Sequence, residues 1–221
     1  NQGRIVVTDK MLNLEFETVS FYPAGYYVRQ IPVEARVTYP AGWQAFSALR
    51  GDVDDAVVNY EKTDYETLID SPVFAGKYSA TADLGNGITL DIVADDPKEL
   101  VFTDEQIVIH RKLVSESVTL FDSRHYDHYD FLLAITNELG GIGLEHHRSS
   151  ENSVGPGYFT KWDDGPGDRM AAMPGSGGGG MDMGVAAGSY AEDAPDFDSF
   201  AAPDASLQEH LMDQARASLA G

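Results

Sequence analysis

The chain has 221 residues, 43% of them hydrophobic and 10% aromatic, which is ample for a packed core in one large or two small domains. Its formal net charge of -21 repels the phosphate backbone of nucleic acid and the anionic face of a membrane, so neither is expected as a partner. The absence of cysteine excludes disulfides, thiolate nucleophiles and thiolate zinc sites, and leaves histidine and carboxylate to carry any metal.

No apolar run approaches the roughly 20 residues needed to cross a bilayer. Residues 1–10 carry no basic-then-apolar signal pattern, and Arg4 to Val7 already reads as a strand, so the natural start is expected upstream. The sequence leaves the compartment open.

Residues 1–100 read as short strands punctuated by turns. Ile31, Val33, Ala35 and Val37 alternate with Pro32, Glu34, Arg36 and Thr38, which predicts one buried and one wet face. Leu12, Leu14 and Phe16 repeat the alternation, as do Ile88, Leu90 and Ile92 after the Gly85-Asn86-Gly87 turn signal. Pro-Ala-Gly punctuates the chain at Pro23 and again at Pro40. An antiparallel, sandwich-like β domain is expected here, followed by a helical segment, for an α+β protein overall.

At Thr103 the period changes. Thr103 and Gln106 form a capping-box pair, and Ile107, Val114, Val118 and Phe121 follow at helical spacing, predicting a helix of about 18 residues. A second helix is expected over residues 126–139, with Phe131, Leu132, Ile135 and Leu139 on one side and Gly140-Gly141 as its stop. A loop-rich stretch follows over residues 143–164.

From Gly165 the composition shifts to Gly, Ala, Asp and Met, including an unbroken glycine run at 177–180, and nine acidic residues face only Arg169 and Arg216. A disordered acidic tail is expected over residues 165–221, with one short helix at 206–219 capped by Ser206.

None of the six histidines opens an H-E-x-x-H: His110 and His147 precede Arg, His125 and His128 precede Tyr, His146 precedes His147, and His210 precedes Leu. That motif places two imidazoles on one helix face around zinc, with a glutamate to deprotonate the bound water. His125 and His128, with Glu145 and His146 or His147, are the one alternative ligand set; the other reading of His125 to Asp130 is a segment that caps and packs a helix. No G-x-S-x-G, P-loop or dinucleotide fingerprint occurs. Residues 140–152, G-G-I-G-L-E-H-H-R-S-S-E-N, combine small residues with the carboxylate of Glu145. Such a group can hold a substrate ammonium at a fixed distance from a scissile bond, although the same stretch also reads as a surface loop.

Three segments, D-H-Y-D-F-L-L-A at 127–134, G-L-E-H-H-R-S-S-E-N at 143–152 and G-Y-F-T-K-W-D at 157–163, resemble the glycyl aminopeptidase family of bacterial zinc exopeptidases, which often carry a PDZ domain. F-Y-P-A-G-Y-Y at 21–27, P-A-G-W at 40–43 and D-S-P-V-F-A-G at 70–76 resemble the same family's amino-terminal β domain. The resemblance implies a β-rich domain over 1–100 and the start of a thermolysin-like catalytic domain over 101–164. It implies that Gly143, Leu144, Glu145 and His146 form the loop that binds a peptide amino terminus.

Zinc is implied for full-length relatives but for no site in this chain, whose expected state is a truncated metallopeptidase without activity of its own. Periplasmic or secreted localisation is implied for those relatives. Part of the tail, Asp196 to Gln214 with A-P-D-A-S-L-Q-E-H-L at 202–211, resembles the segment ahead of the core-binding region in the nitrogen-type bacterial sigma factor, which implies a join of two unrelated fragments. The alternatives are a non-catalytic β module that binds a peptide or partner, and a non-functional fragment that self-associates through an apolar face around Phe131, Leu132 and Ile135.

Overall fold

The computed structural model describes residues 5–124 and 126–162. His125, the expected acidic tail, its helix at 206–219 and the sigma-factor-like segment lie outside the described residues.

In chain order the elements are β1 (Met11–Leu14), α1 (Phe16–Val19), β2 (Pro32–Val33), β3 (Arg36–Thr38), β4 (Gln44–Phe46), β5 (Gly51–Asp54), β6 (Val57–Tyr60), β7 (Thr63–Asp64), α2 (Tyr65–Ile69) and β8 (Val73–Gly76). There follow β9 (Tyr78–Gly85), β10 (Ile88–Ala94), α3 (Asp104–Phe121), β11 (Tyr129–Ile135), β12 (Gly143–Glu145) and β13 (Ser149–Val154). The chain is α+β, and its first part is built from small antiparallel sheets, β1-β8-β4, β3-β6-β5 and β2-β7.

The alternation read over residues 31–38 is present in the structure. Ile31, Val33, Ala35 and Val37 are half-buried and their even-numbered neighbours exposed, although only residues 32–33 and 36–38 pair as strands. The two Pro-Ala-Gly segments are turns in which Gly25 and Gly42 take φ of +88° and +80°. Residues 4–7 do not form a strand over their described part; Val7 makes a single bridge to Leu12.

β9 and β10 form a hairpin about Gly85-Asn86-Gly87, and they belong to a five-stranded sheet of order β12-β13-β11-β10-β9. β11 runs parallel to both β10 and β13, while the outer pairs β9-β10 and β12-β13 are antiparallel. This sheet therefore crosses residue 100, the boundary expected between the two domains.

The helix expected over residues 126–139 is a strand instead. Phe131 to Ile135 is an unbroken apolar run because β11 is covered on both faces: Leu132 and Ala134 pack with Met11, Phe74 and Val93, while Leu133 and Ile135 pack with Leu90, Ile92, Ile107 and Val114. A strand buried on both sides loses the period-two signature and is indistinguishable by periodicity from a buried helix. For the same reason Leu132 and Ile135 are fully buried rather than part of an exposed apolar face. The stretch read as loop after residue 143 supplies the last two strands of the sheet.

α3 begins where its capping box predicts. The Thr103 hydroxyl accepts from Gln106 N at 3.3 Å, and the Thr103 N–H donates to Gln106 Oε1 at 2.8 Å. Its stripe is buried at Ile107 and Val114, half-buried at Val118 and exposed at Phe121, so the helix leaves the sheet towards its carboxyl end.

Candidate functional site

β12 is an edge strand. Its register with β13 pairs Gly143 with Asn152, Leu144 with Glu151 and Glu145 with Ser150. Directly paired residues share a face of a sheet. Gly143 and Glu145 therefore stand on the α3 side with Ser150, Asn152 and Phe131, while Leu144 stands on the opposite side with Glu151 and Leu132.

The four residues expected to form the amino-terminus-binding loop are thus contiguous but divided between faces. Gly143 and Glu145 are exposed, and a Cβ at Gly143 would meet no atom within 4 Å, so the space over this end of the strand is open. Leu144 is half-buried. His146 turns inward, its side chain 8% exposed, with Nδ1 2.9 Å from Asp70 Oδ1 and Nε2 3.6 Å from Glu151 Oε2. The latter is an ion-pair separation without a hydrogen bond, and His146 Nε2 is buried and lacks a hydrogen-bond partner.

Asp70, the C-cap residue of α2, gathers the β12–β13 turn. It accepts from His147 N at 3.0 Å, and its Oδ2 lies 2.5 Å from His147 Nδ1, while His146 N donates to Ser149 O at 2.8 Å to close the turn. Burial alone would raise the Asp70 carboxyl; hydrogen bonds from His146 and His147 outweigh it and hold the group below the ordinary carboxylate range. Burial would likewise lower His146, but Glu151 and Asp70 push it up to about 9.

Behind this turn lies a second acid. Glu15 is 4% exposed and Glu151 1% exposed. Burial first, then the neighbouring Glu151, push Glu15 up to about 8. The side chain of Asn13 donates to Glu15 Oε1 at 3.3 Å, and Asn13 Oδ1 in turn accepts from Val6 N at 2.6 Å.

Sequence reasoning did not single out Glu15, Asp70 or Glu151. The one available signal was the odd-numbered row of Met11 and Asn13 on β1 and Glu15 just after it, where polar residues alternate with apolar ones and read as a solvent face. In the structure that row is buried, because the five-stranded sheet covers it.

His128, offered as a metal ligand, is engaged elsewhere. Its Nε2 bonds Ala48 O at 2.9 Å and lies 3.7 Å from Asp130 Oδ2, and its Nδ1 lies 3.2 Å from Asp127 Oδ1. Among the described residues no group of three or more His, Cys, Asp or Glu is placed to hold a metal ion. The described residues therefore offer no ligand set for the zinc that the resemblance implies in full-length relatives.

A cleft of about 680 Å³ adjoins the turn, lined by Glu17, Glu66, Thr67, Ile69, Asp70 and His147.

An aminopeptidase N family protein from Idiomarina loihiensis shares the fold with a TM-score of 0.54 and 17% identity, over 69% of this chain and 26% of that one. Leukotriene A4 hydrolase from Saccharomyces cerevisiae is similar over 65% of this chain and 22% of its own, with a TM-score of 0.46 and 10% identity. The chain spans about a quarter of the length of these solved structures. No curated protein matches it. Residues 1–77 match the Peptidase M61 N-terminal domain, the stretch that holds the glycyl aminopeptidase-like segments at 21–27, 40–43 and 70–76.

Proposed function

We propose that this chain is the amino-terminal portion of a glycyl aminopeptidase-like enzyme and that it holds the amino terminus of a peptide at the edge of β12. The observation that carries this reading is the exposure of Glu145 on an edge strand whose outer backbone groups have no strand partner among the described residues. An extended peptide can add to such an edge through main-chain hydrogen bonds. Glu145, at the end of the strand, then meets the peptide's ammonium in a charge-assisted hydrogen bond. Gly143 leaves room for the peptide backbone. The backbone of Leu144 lies along the same edge, and His146 fixes the end of the strand from the opposite face.

The chain alone binds rather than hydrolyses in this reading, since its sequence contains no H-E-x-x-H. Isothermal titration with Gly-Gly-Ala and Ala-Gly-Ala, against the same peptides N-acetylated, tests it. The free-amine peptides bind, acetylation or Glu145→Ala abolishes binding, and no glycine or alanine is released from a chromogenic aminoacyl substrate. Equal binding of acetylated and free peptides would overturn the role of Glu145.

A further inference from the structure

We propose that the apolar cavity between α3 and the five-stranded sheet receives the side chain of the third residue of a peptide added to β12, so that this chain selects peptides with a large apolar residue at that position. This selectivity rests on the reading of β12 given above and adds which side chain of the peptide is read.

The strand register carries the assignment. On the α3 side of the sheet, Gly143, Asn152, Leu133 and Ile92 stand in one row across β12, β13, β11 and β10, and Glu145, Ser150, Phe131 and Leu90 stand in the next. A peptide that runs antiparallel to β12 with its ammonium at Glu145 sets its first residue opposite Glu145, its second opposite Leu144 and its third opposite Gly143. Successive side chains alternate between faces, so the third extends the row of Gly143, Asn152 and Leu133, while the second points to the opposite face. With neighbouring strands about 4.8 Å apart, the third residue lies about 10 Å from Asn152, and only Gly143 stands between them. A Cβ at Gly143 would meet no atom within 4 Å, so the lane from the edge to the cavity is open.

The cavity holds about 230 Å³ and is lined by Leu90, Phe131, Leu133 and Asn152 from the sheet and by Leu113 and Val114 from α3. Leu90, Leu133 and Val114 are buried, whereas Leu113 is 61% exposed on the rim. His110 and Tyr158 also border the cavity and bond each other at 3.1 Å, and the Asn152 amide is held along β13 by donating to the Ser150 hydroxyl at 2.9 Å. These polar groups are engaged within the protein, which suits an apolar occupant. Pockets for whole small molecules begin at about 300 Å³, so one side chain is the occupant of fitting size. Recognition at a sheet edge takes affinity from main-chain hydrogen bonds and specificity from pockets for alternate side chains, the arrangement that β12 and this cavity present.

The test is isothermal titration of the whole chain with two isomers, Gly-Gly-Leu amide and Gly-Leu-Gly amide, which share composition and a free amine and differ only in the position of leucine. Gly-Gly-Leu amide is expected to bind at least about tenfold more tightly, because only its leucine enters the cavity. Gly143→Val sets a side chain across the lane and Leu113→Trp fills the cavity from its rim, so each is expected to bring the ratio to about one. Gly143 is exposed and has space for a Cβ, so that variant serves if Leu113→Trp does not fold. Binding of both isomers with a ratio near one, tighter binding of Gly-Leu-Gly amide, or a tenfold ratio kept in either variant would overturn the assignment and leave the cavity to another apolar occupant. If neither isomer binds, the peptide reading of β12 itself falls, and this selectivity with it.

Discussion

Arg50 reaches from the loop before β5 to Asp130 on β11, placing its two terminal nitrogens 3.2 and 3.4 Å from the two carboxylate oxygens. The aspartate side chain is 5% exposed and the arginine 48% exposed, so the pair joins a buried anion to a partly solvated cation across a sequence separation of 80. Thr89 donates to both Asp91 and Asp130, and burial together with the Asp130 charge raises the Asp91 carboxyl. Removing the guanidinium leaves two buried carboxyls without a cation. Arg50→Ala is therefore expected to destabilise the fold by about 2 kcal/mol in urea unfolding. The loss is expected to be larger at pH 8 than at pH 5, because a carboxyl whose folded value is raised favours folding in acid and loses that contribution as pH rises. A change within experimental error would show the pair to be structurally idle.

Glu15 and His146 bend the pH dependence of stability in the same direction. Glu15 rises from 4.5 unfolded to about 8 folded, so its contribution is full below 4.5 and lost as pH climbs to about 8. His146 rises from 6.5 to about 9, so its contribution is full below 6.5 and lost as pH climbs through 9. Thermal unfolding midpoints are expected to decline from about pH 5.5 to 9.5. Glu15→Gln is expected to flatten the lower part of that decline and His146→Gln the upper part. A midpoint that rises over this range contradicts both assignments.

The identity of residues 129–135 as a strand has its own mutational signature. Leu132 is fully buried against Met11, Phe74 and Ala134, so Leu132→Ala is expected to cost about 3 kcal/mol. Leu133, on the opposite face and 4% exposed, is expected to cost a similar amount. Adjacent residues that are equally sensitive mark a strand covered on both sides, whereas a surface helix would tolerate one of them. Chemical denaturation of the two variants decides between these.

The cap of α3 is separable from its packing. Thr103→Ala removes the side-chain acceptor of Gln106 N and is expected to cost about 1 kcal/mol. Phe121→Ser, at a residue 72% exposed beyond the last buried turn, is expected to change stability by less than about 0.5 kcal/mol. Helix content by circular dichroism in the two variants gives an independent reading.

What the sequence determined by itself is local. The capping box at Thr103, the turns at Gly25, Gly42 and Gly85-Asn86-Gly87, and the alternation from Ile31 to Val37 depend on neighbouring residues and backbone sterics, and each is found where it was read. The glycyl aminopeptidase resemblance was also legible, because it rests on contiguous motifs. Tertiary structure decided the rest. Phe131 to Ile135 became a strand because neighbours on both faces removed the alternation that would have declared it. His146 parted from Glu145 because a pleated strand sends successive side chains to opposite faces, and only the register with β13 fixes which face is which. Glu15, Asp70 and Glu151 lie far apart along the chain, and their meeting depends on how β1 and α2 pack against the five-stranded sheet. No local pattern encodes that packing, because the free energy that brings those carboxyls together comes from apolar burial at Met11, Phe74, Val93 and Leu132 rather than from the acids themselves.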